Sequence, residues 1–333
     1  MEESWSKILK THPESNFLQS PLWAETNKLI GHKLIVRTFE DKALYLGIVK
    51  DAKRGRYLEI PGGPILDWSD ESLLKKVFES IFEEAKREKC VFVRFRPQLN
   101  NTEENRILIK NLKSMTSLDF RPAPMHLHAQ NTVILDLKKS EEDLLMGMRR
   151  QTRYEVRRSE KLGITVSEDS SESAFKKFHK IQAETAKRQN FIPPSEKDLL
   201  AERTAFSPDN LKLYSAKSAN GEDIAFGLIL FYGKEAEYFE AASTELNRKL
   251  PGAYALLWRA IRDMKAEGLE RFNLWGIAPS GAKNHRYSGV TTFKTGFGGE
   301  IVDFIPAEDI VINKLLYKLD LIIENNRKKK RNL

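Results

Sequence analysis

A chain of 333 residues exceeds the usual span of one hydrophobic core, so two packed domains are expected. Its 41% hydrophobic and 31% charged residues describe a globular protein, and no uninterrupted apolar run approaches the ~20 residues of a membrane span. The net charge of +8 is concentrated in two places. Residues 149 to 161 hold six cations against Glu155 and Glu160, a net +4, and Arg327, Lys328, Lys329, Lys330 and Arg331 add five more, leaving the rest at −1. Such clustering suits a polyanion: RNA, a nucleotide diphosphate or an anionic membrane face touched from the side. The plainer reading is a solvated helix face plus a disordered tail. The start Met1-Glu2-Glu3-Ser4-Trp5 lacks the basic and apolar regions of a signal peptide, and the single Cys90 lies in an apolar run as a buried thiol would. A cytoplasmic, reducing location is expected.

The first half opens with a helix signalled by Ser20-Pro21, a cap residue followed by proline at the first helical position. Strand patterns follow over Lys33 to Phe39, Ala43 to Val49 and Tyr57 to Ile60, then an amphipathic helix from about Asp70 to Lys86, then a strand from Cys90 to Phe95. In mid-chain, Ser140 and Asp143 resemble a capping box and open one helix running to about Lys161. Leu145, Met148, Thr152 and Val156 share one of its faces, while Arg150, Arg153, Arg157 and Lys161 gather on another, a cationic face suited to a polyanion such as RNA. Gly163 stops the helix before a strand at Ile164 to Val166, and residues 171 to 210 are helical without the sustained heptads of a coiled-coil arm. Strands then recur over Leu211 to Ala216, Ile224 to Tyr232 and Glu237 to Ala242, a helix over Ala253 to Ala266 and a strand over Arg271 to Trp275. Both halves therefore read as three strands, helix, strand, which predicts a duplicated α/β domain with a substrate cleft between the copies. The last helix is placed from about Glu308 to Asn325, returning to the first domain.

Standard chemical signatures are largely missing. Neither a serine-hydrolase elbow nor a P-loop is present, and His126 with His128, lacking a third ligand, reads as a pair of polar strand residues. Arg248-Lys249-Leu250-Pro251-Gly252-Ala253 precedes a helix as the pyrophosphate loop of acetyl-CoA-dependent acetyltransferases does, and equally reads as a plain helix start. The most distinctive stretch is His285-Arg286-Tyr287-Ser288-Gly289-Val290-Thr291-Thr292-Phe293-Lys294-Thr295-Gly296-Phe297-Gly298-Gly299-Glu300. A lysine held amid apolar and glycine-rich residues calls for an anionic partner.

That stretch, taken with Ile60 to Asp67, Gln130 to Leu137 and the Arg149 to Gly163 segment, resembles the Fem family of nonribosomal peptidyl transferases, over nearly the whole chain and in the compact, FemX-like form without a coiled-coil arm. The resemblance implies an α/β (α+β) fold of two acetyltransferase-like (GNAT-like) domains, at 1–138, completed by a C-terminal helix at 306–326, and at 139–305, with 327–333 as a basic tail. It implies aminoacyl-tRNA as donor, a UDP-linked or lipid-linked muropeptide precursor as acceptor, a monomer, and neither metal nor redox cofactor. Lys294 matches the lysine placed beside the tRNA terminus and the developing oxyanion, with Phe293 before it. Tyr238 matches a cleft tyrosine, and Lys28 a lysine that meets the precursor's phosphates, while Arg286 and Tyr287 line the Lys294 region. Two positions depart from the pattern: Arg96-Pro97 stands where an aspartate usually precedes the proline, and Pro194 stands where an arginine follows Phe191 by three. Without the family, Lys28 reads as an exposed helix lysine, Tyr238 as a core aromatic and Gly296 to Gly299 as a bulge or tight turn. The Arg150, Arg153, Arg157 and Lys161 face is then the tRNA-binding face, and two rivals stay open, an acetyl-CoA-dependent N-acetyltransferase and a non-enzymic module that binds tRNA through that face.

Overall fold

The computed structural model describes residues 2–52, 55–125, 128–282 and 285–331, with side chains described from residue 3 to residue 326 of those stretches. His126 and the side chains of the basic tail lie outside them. The chain divides into two compact units, one of Met1–Asn131, Ala278–Arg286 and Asp303–Leu333, the other of Thr132–Ile277 and Tyr287–Val302.

The first unit carries α1 (Glu2–Thr11), α2 (Pro21–Ile30), β1 (Lys33–Phe39), β2 (Ala43–Ala52), β3 (Gly55–Gly62), α3 (Glu71–Arg87), β4 (Cys90–Pro97), α4 (Glu103–Met115) and β5 (Asp119–Pro122). Ser20 caps α2, its hydroxyl accepting from the Trp23 N–H with Pro21 at the first helical position. The strands stand in the order β1, β2, β3, β4, then a strand from the end of the chain, then β5. The β3–β4 pair is parallel because α3 crosses between its members. Leu74, Val77, Phe78 and Ile81 of α3 bury against Leu58, Ile60, Val93 and Phe95, with the Phe78 and Phe95 rings edge to face at 5.0 Å.

The second unit continues with β6 (Asn131–Asp136), α5 (Glu141–Gly147), α6 (Arg150–Lys161), β7 (Thr165–Glu168), α7 (Glu172–Gln189), α8 (Glu196–Phe206), β8 (Leu211–Lys217), β9 (Asp223–Tyr232), β10 (Glu235–Ser243), α9 (Gly252–Ala266), β11 (Arg271–Asn273), α10 (Ser288–Thr295) and β12 (Glu300–Asp303). Its sheet runs β12, β6, β11, β10, β9, β8, β7. Here β10 and β11 are the parallel pair and α9 the crossing helix, whose Leu256, Leu257, Ala260 and Ile261 are fully buried. Three antiparallel strands, a helix and a parallel strand thus recur in both units, as the sequence pattern predicts.

Two predicted helices differ from those observed. The helix expected from Ser140 to Lys161 is broken into α5 and α6 at Met148, whose ψ of 151° is extended. The break lets the Arg149 N–H reach the Gly296 carbonyl at 2.8 Å, a bond that a continuous helix would have spent internally. The closing helix begins six residues later than expected: Glu308–Val311 is a strand, β13, between β4 and β5, and α11 spans Lys314–Arg331. Pro306 and the β-branched Ile310 and Val311 favour pairing there, and Asn313 caps the helix by accepting from the N–H groups of Leu315 and Leu316. The backbone of the basic tail continues α11 to Arg331.

A buried ion cluster ties these last elements to the first unit. Arg94 of β4 donates from Nε and Nη2 to both carboxylate oxygens of Asp309, at 2.7 and 2.8 Å, and Nη2 also reaches Glu324 of α11 at 2.9 Å. The Tyr317 hydroxyl donates to Asp309 at 3.0 Å. Burial pushes the Asp309 carboxyl up while Arg94 pulls it back, so removing one partner strands the other. Asp309→Ala is expected to cost about 3 kcal/mol in urea unfolding, with most of the loss recovered when Arg94→Met is added.

Candidate functional site

The glycine-rich turn after α10 packs where α5 gives way to α6. Gly298 (φ 83°) and Gly299 (φ 85°) both take left-handed conformations, and a Cβ at either would meet a carbonyl oxygen, of Gly147 at 2.7 Å or of Ile134 at 2.6 Å. Arg149 closes the contact, its Nη2 donating to the Thr292 carbonyl of α10 at 2.7 Å. Phe293, Phe297 and Tyr254 of α9 form an aromatic cluster with centroids 5.0 to 6.0 Å apart. Together these contacts hold α10 so that Lys294 points inward, at 8% exposure.

The Lys294 ammonium donates to the Gly276 carbonyl at 3.0 Å and lies 5.9 Å from the centroid of the Tyr238 ring. Neither is a counter-charge, and desolvation lowers its pKa from 10.5 to about 7. The sequence pattern carries the strand β11 to Trp275, but it ends at Asn273. The Asn273 side chain accepts from the Trp275 N–H at 2.9 Å and from the Thr132 hydroxyl, and Trp275 turns to φ 60°. This turn presents the Gly276 carbonyl to Lys294, a role that an Asn-Leu-Trp-Gly run does not announce.

The structure thus brings Lys294, Phe293 and Tyr238 into one region of the second unit, with Tyr287 in the turn that leads into α10 and its carbonyl accepting from Thr291. Tyr238 is buried, and its hydroxyl is shifted upward by desolvation. Lys28 and Arg286 belong to the first unit. Lys28 is an exposed lysine of α2 paired with Glu25 at 3.2 Å, and Arg286 is half-buried.

On α6 the four cations divide. Arg150, Arg157 and Lys161 are exposed, with no acidic partner among the described residues. Arg153 instead caps α5, donating to the Met146 carbonyl at 2.8 Å and to that of Met148. In the Arg248–Ala253 segment two backbone donors are already used: Asn247 accepts from the Ala253 N–H at 3.0 Å, and the Gly252 N–H is spent on Leu250. The first amides of α9 are therefore not free to hold a pyrophosphate. Pro194 lies in the connection between α7 and α8.

Two sheets, each with a parallel pair spanned by a crossing helix, define a protein of two GNAT-like units, a fold shared with the solved structures it resembles. The structure of FemX superposes with a TM-score of 0.83 at 18% identity, covering 96% of this chain and 98% of that one. L-PGS from Bacillus licheniformis gives 0.59 at 15% identity, over 100% and 98%. The FemAB family model matches residues 2–198 and 201–325, and the chain belongs to the FemAB family. Lipid II:glycine glycyltransferase from Staphylococcus haemolyticus is 22% identical over 94% of this chain and 92% of its own length. Aminoacyltransferase FemA from Staphylococcus aureus is also 22% identical, over 83% and 84%.

The burial of Lys294 has a signature in stability. Between pH 7 and 10.5 the unfolded lysine holds a proton that the folded one has lost, so stability rises with pH across that window. Lys294→Met is therefore expected to raise the urea midpoint at pH 6, with an advantage that shrinks as pH climbs from about 7 towards 10.5. A midpoint difference that does not change with pH counts against an uncompensated buried lysine.

Proposed function

We propose that the chain is an aminoacyltransferase that moves an amino acid from aminoacyl-tRNA onto the stem peptide of a peptidoglycan precursor. The names of the full-length relatives support a transferase of amino acids, and those named for lipid II support a lipid-linked acceptor. The short α7–α8 pair, in place of a long helical arm, speaks for a soluble UDP-linked one. A charged-tRNA donor implies work in the cytoplasm, and none of the described helices is long and apolar enough to cross a membrane.

The observation that carries the reading is the buried Lys294. In the proposed step an acceptor amine forms the new C–N bond to the ester carbonyl, the carbonyl electrons move onto oxygen, and collapse expels the 3′-terminal oxygen of the tRNA. That oxygen gains a proton as the amine loses one. The ester is already activated, so orientation and charge stabilisation supply most of the rate. A lysine near pKa 7 carries its proton more firmly as negative charge develops beside it, and its fixed place between the Gly276 carbonyl and the Tyr238 ring leaves little to reorganise. Arg150, Arg157 and Lys161 offer an exposed cationic face to the tRNA backbone.

The test is reconstitution with charged tRNA, a muropeptide precursor and, separately, acetyl-CoA, read by product mass. Transfer only from charged tRNA is expected, and an acetylated product would favour the acetyltransferase. In single-turnover transfer at saturating substrates, Lys294→Met should fall on the order of 10²- to 10³-fold while the protein stays folded. Replacing Arg150, Arg157 and Lys161 together by alanine should weaken tRNA binding and flatten its salt dependence, measured by titration across salt concentrations. An unchanged slope would return α6 to a solvated surface.

A further inference from the structure

Along α11, Leu315, Leu319 and Ile322 recur at the spacing that gathers positions on one side of a helix, and Leu316 extends that stripe at one edge. All four are between 38% and 73% exposed, whereas every other described helix carries at most one large apolar side chain in that range. The opposite side is where the helix is fastened. There the Tyr317 ring packs edge-on against Phe92 at 5.5 Å, Leu321 joins the same cluster, and Glu324 meets Arg94. The outer stripe therefore adds nothing to the packing of α11, and a contiguous aliphatic patch left in water marks a surface that something else covers.

The charges of α11 select the cover. Its two carboxylates stay towards the packed side: Glu324 pairs with Arg94, and Asp320, one helical turn before it, is half-buried. Lys314 and Lys318 are exposed and follow the other edge of the stripe. The sequence then runs Arg327-Lys328-Lys329-Lys330-Arg331, along a backbone that stays helical to Arg331. No described helix is long and apolar enough to cross a bilayer. An aliphatic face beside clustered lysine and arginine instead suits a helix lying flat in the headgroup layer, its leucines entering the acyl boundary and its cations meeting lipid phosphates. We infer that α11 is a membrane-docking surface whose partner is an anionic phospholipid bilayer. RNA would satisfy the cations and leave the stripe in water, since leucine and isoleucine offer neither a ring to stack on nor a group to hydrogen-bond. A second copy of α11 would bring cations together in either orientation, basic run against basic run when parallel, and basic run against Lys314 and Lys318 when antiparallel. The docking goes beyond the transferase reading and does not rest on it, because it concerns binding alone.

The test is co-sedimentation of the full chain with phosphatidylcholine vesicles that do or do not contain phosphatidylglycerol. Binding is expected to the anionic vesicles, weakened by added salt, and at least ~10-fold weaker to phosphatidylcholine alone. Leu315→Gln, Leu319→Gln and Ile322→Gln together keep helix propensity while removing the stripe, and should weaken binding on the order of 10- to 100-fold with Tm unchanged. Replacing Arg327, Lys328, Lys329, Lys330 and Arg331 by glutamine should cost on the order of 100-fold with anionic vesicles and little with phosphatidylcholine. The inference is overturned if the wild-type chain stays in the supernatant with anionic vesicles, or if either variant binds them as well as wild type does. A lowered Tm in the triple variant would place the stripe in the fold. A wild-type dimer that the triple variant dissolves, read by analytical ultracentrifugation, would make a second copy the occupant, and loss of tRNA affinity in the triple variant would make it RNA. Each of these three results also overturns the inference, and none of them bears on whether the chain transfers amino acids.

Discussion

Everything near the candidate site is arranged around a lysine kept from water without a counter-ion among the described residues. Lys294 has one carbonyl and one aromatic ring to replace its hydration, and desolvation brings its pKa close to neutrality. Three pieces of backbone hold that arrangement: the helix break at Met148, the two left-handed glycines, and the Asn273 turn that aims the Gly276 carbonyl. Each gives up regular structure that its sequence would otherwise extend. Such local conflicts are expected where a fold sets stability aside for chemistry.

Three buried cations among the described residues show what compensation means. Arg94 meets two carboxylates and fastens the C-terminal elements to the first unit, a structural use of charge. Lys294 and Arg96 meet only neutral groups, a carbonyl and a ring in one case and an amide and a ring in the other. Two arginines on one face of one strand therefore stand in opposite environments, and what separates them is whether a carboxylate stands opposite.

The cationic helix makes the same point for exposed charge. Four cations share its surface by periodicity, yet Arg153 turns back to cap α5, leaving Arg150, Arg157 and Lys161 to face outward. Angular position on a helix says where a side chain starts, and the neighbouring carbonyls decide where a long one ends.

By itself the sequence determined the strand and helix order of both units, because apolar periodicity and caps such as Ser20-Pro21 are local signals. It also singled out Lys294, since a lysine among glycines and aromatics conflicts with its surroundings at short range. Only the tertiary structure decided the break at Met148, the strand at Glu308–Val311 and the turn after Asn273. Each depends on a partner far along the chain: the Gly296 carbonyl for Arg149, β4 and β5 for β13, and the Thr132 hydroxyl for Asn273. Hydrogen bonds between distant segments leave no periodicity in either segment, so neither one announces the other. The separate fates of Arg94 and Arg96 belong to the same class, because Asp309 lies more than two hundred positions away from the arginine it neutralises.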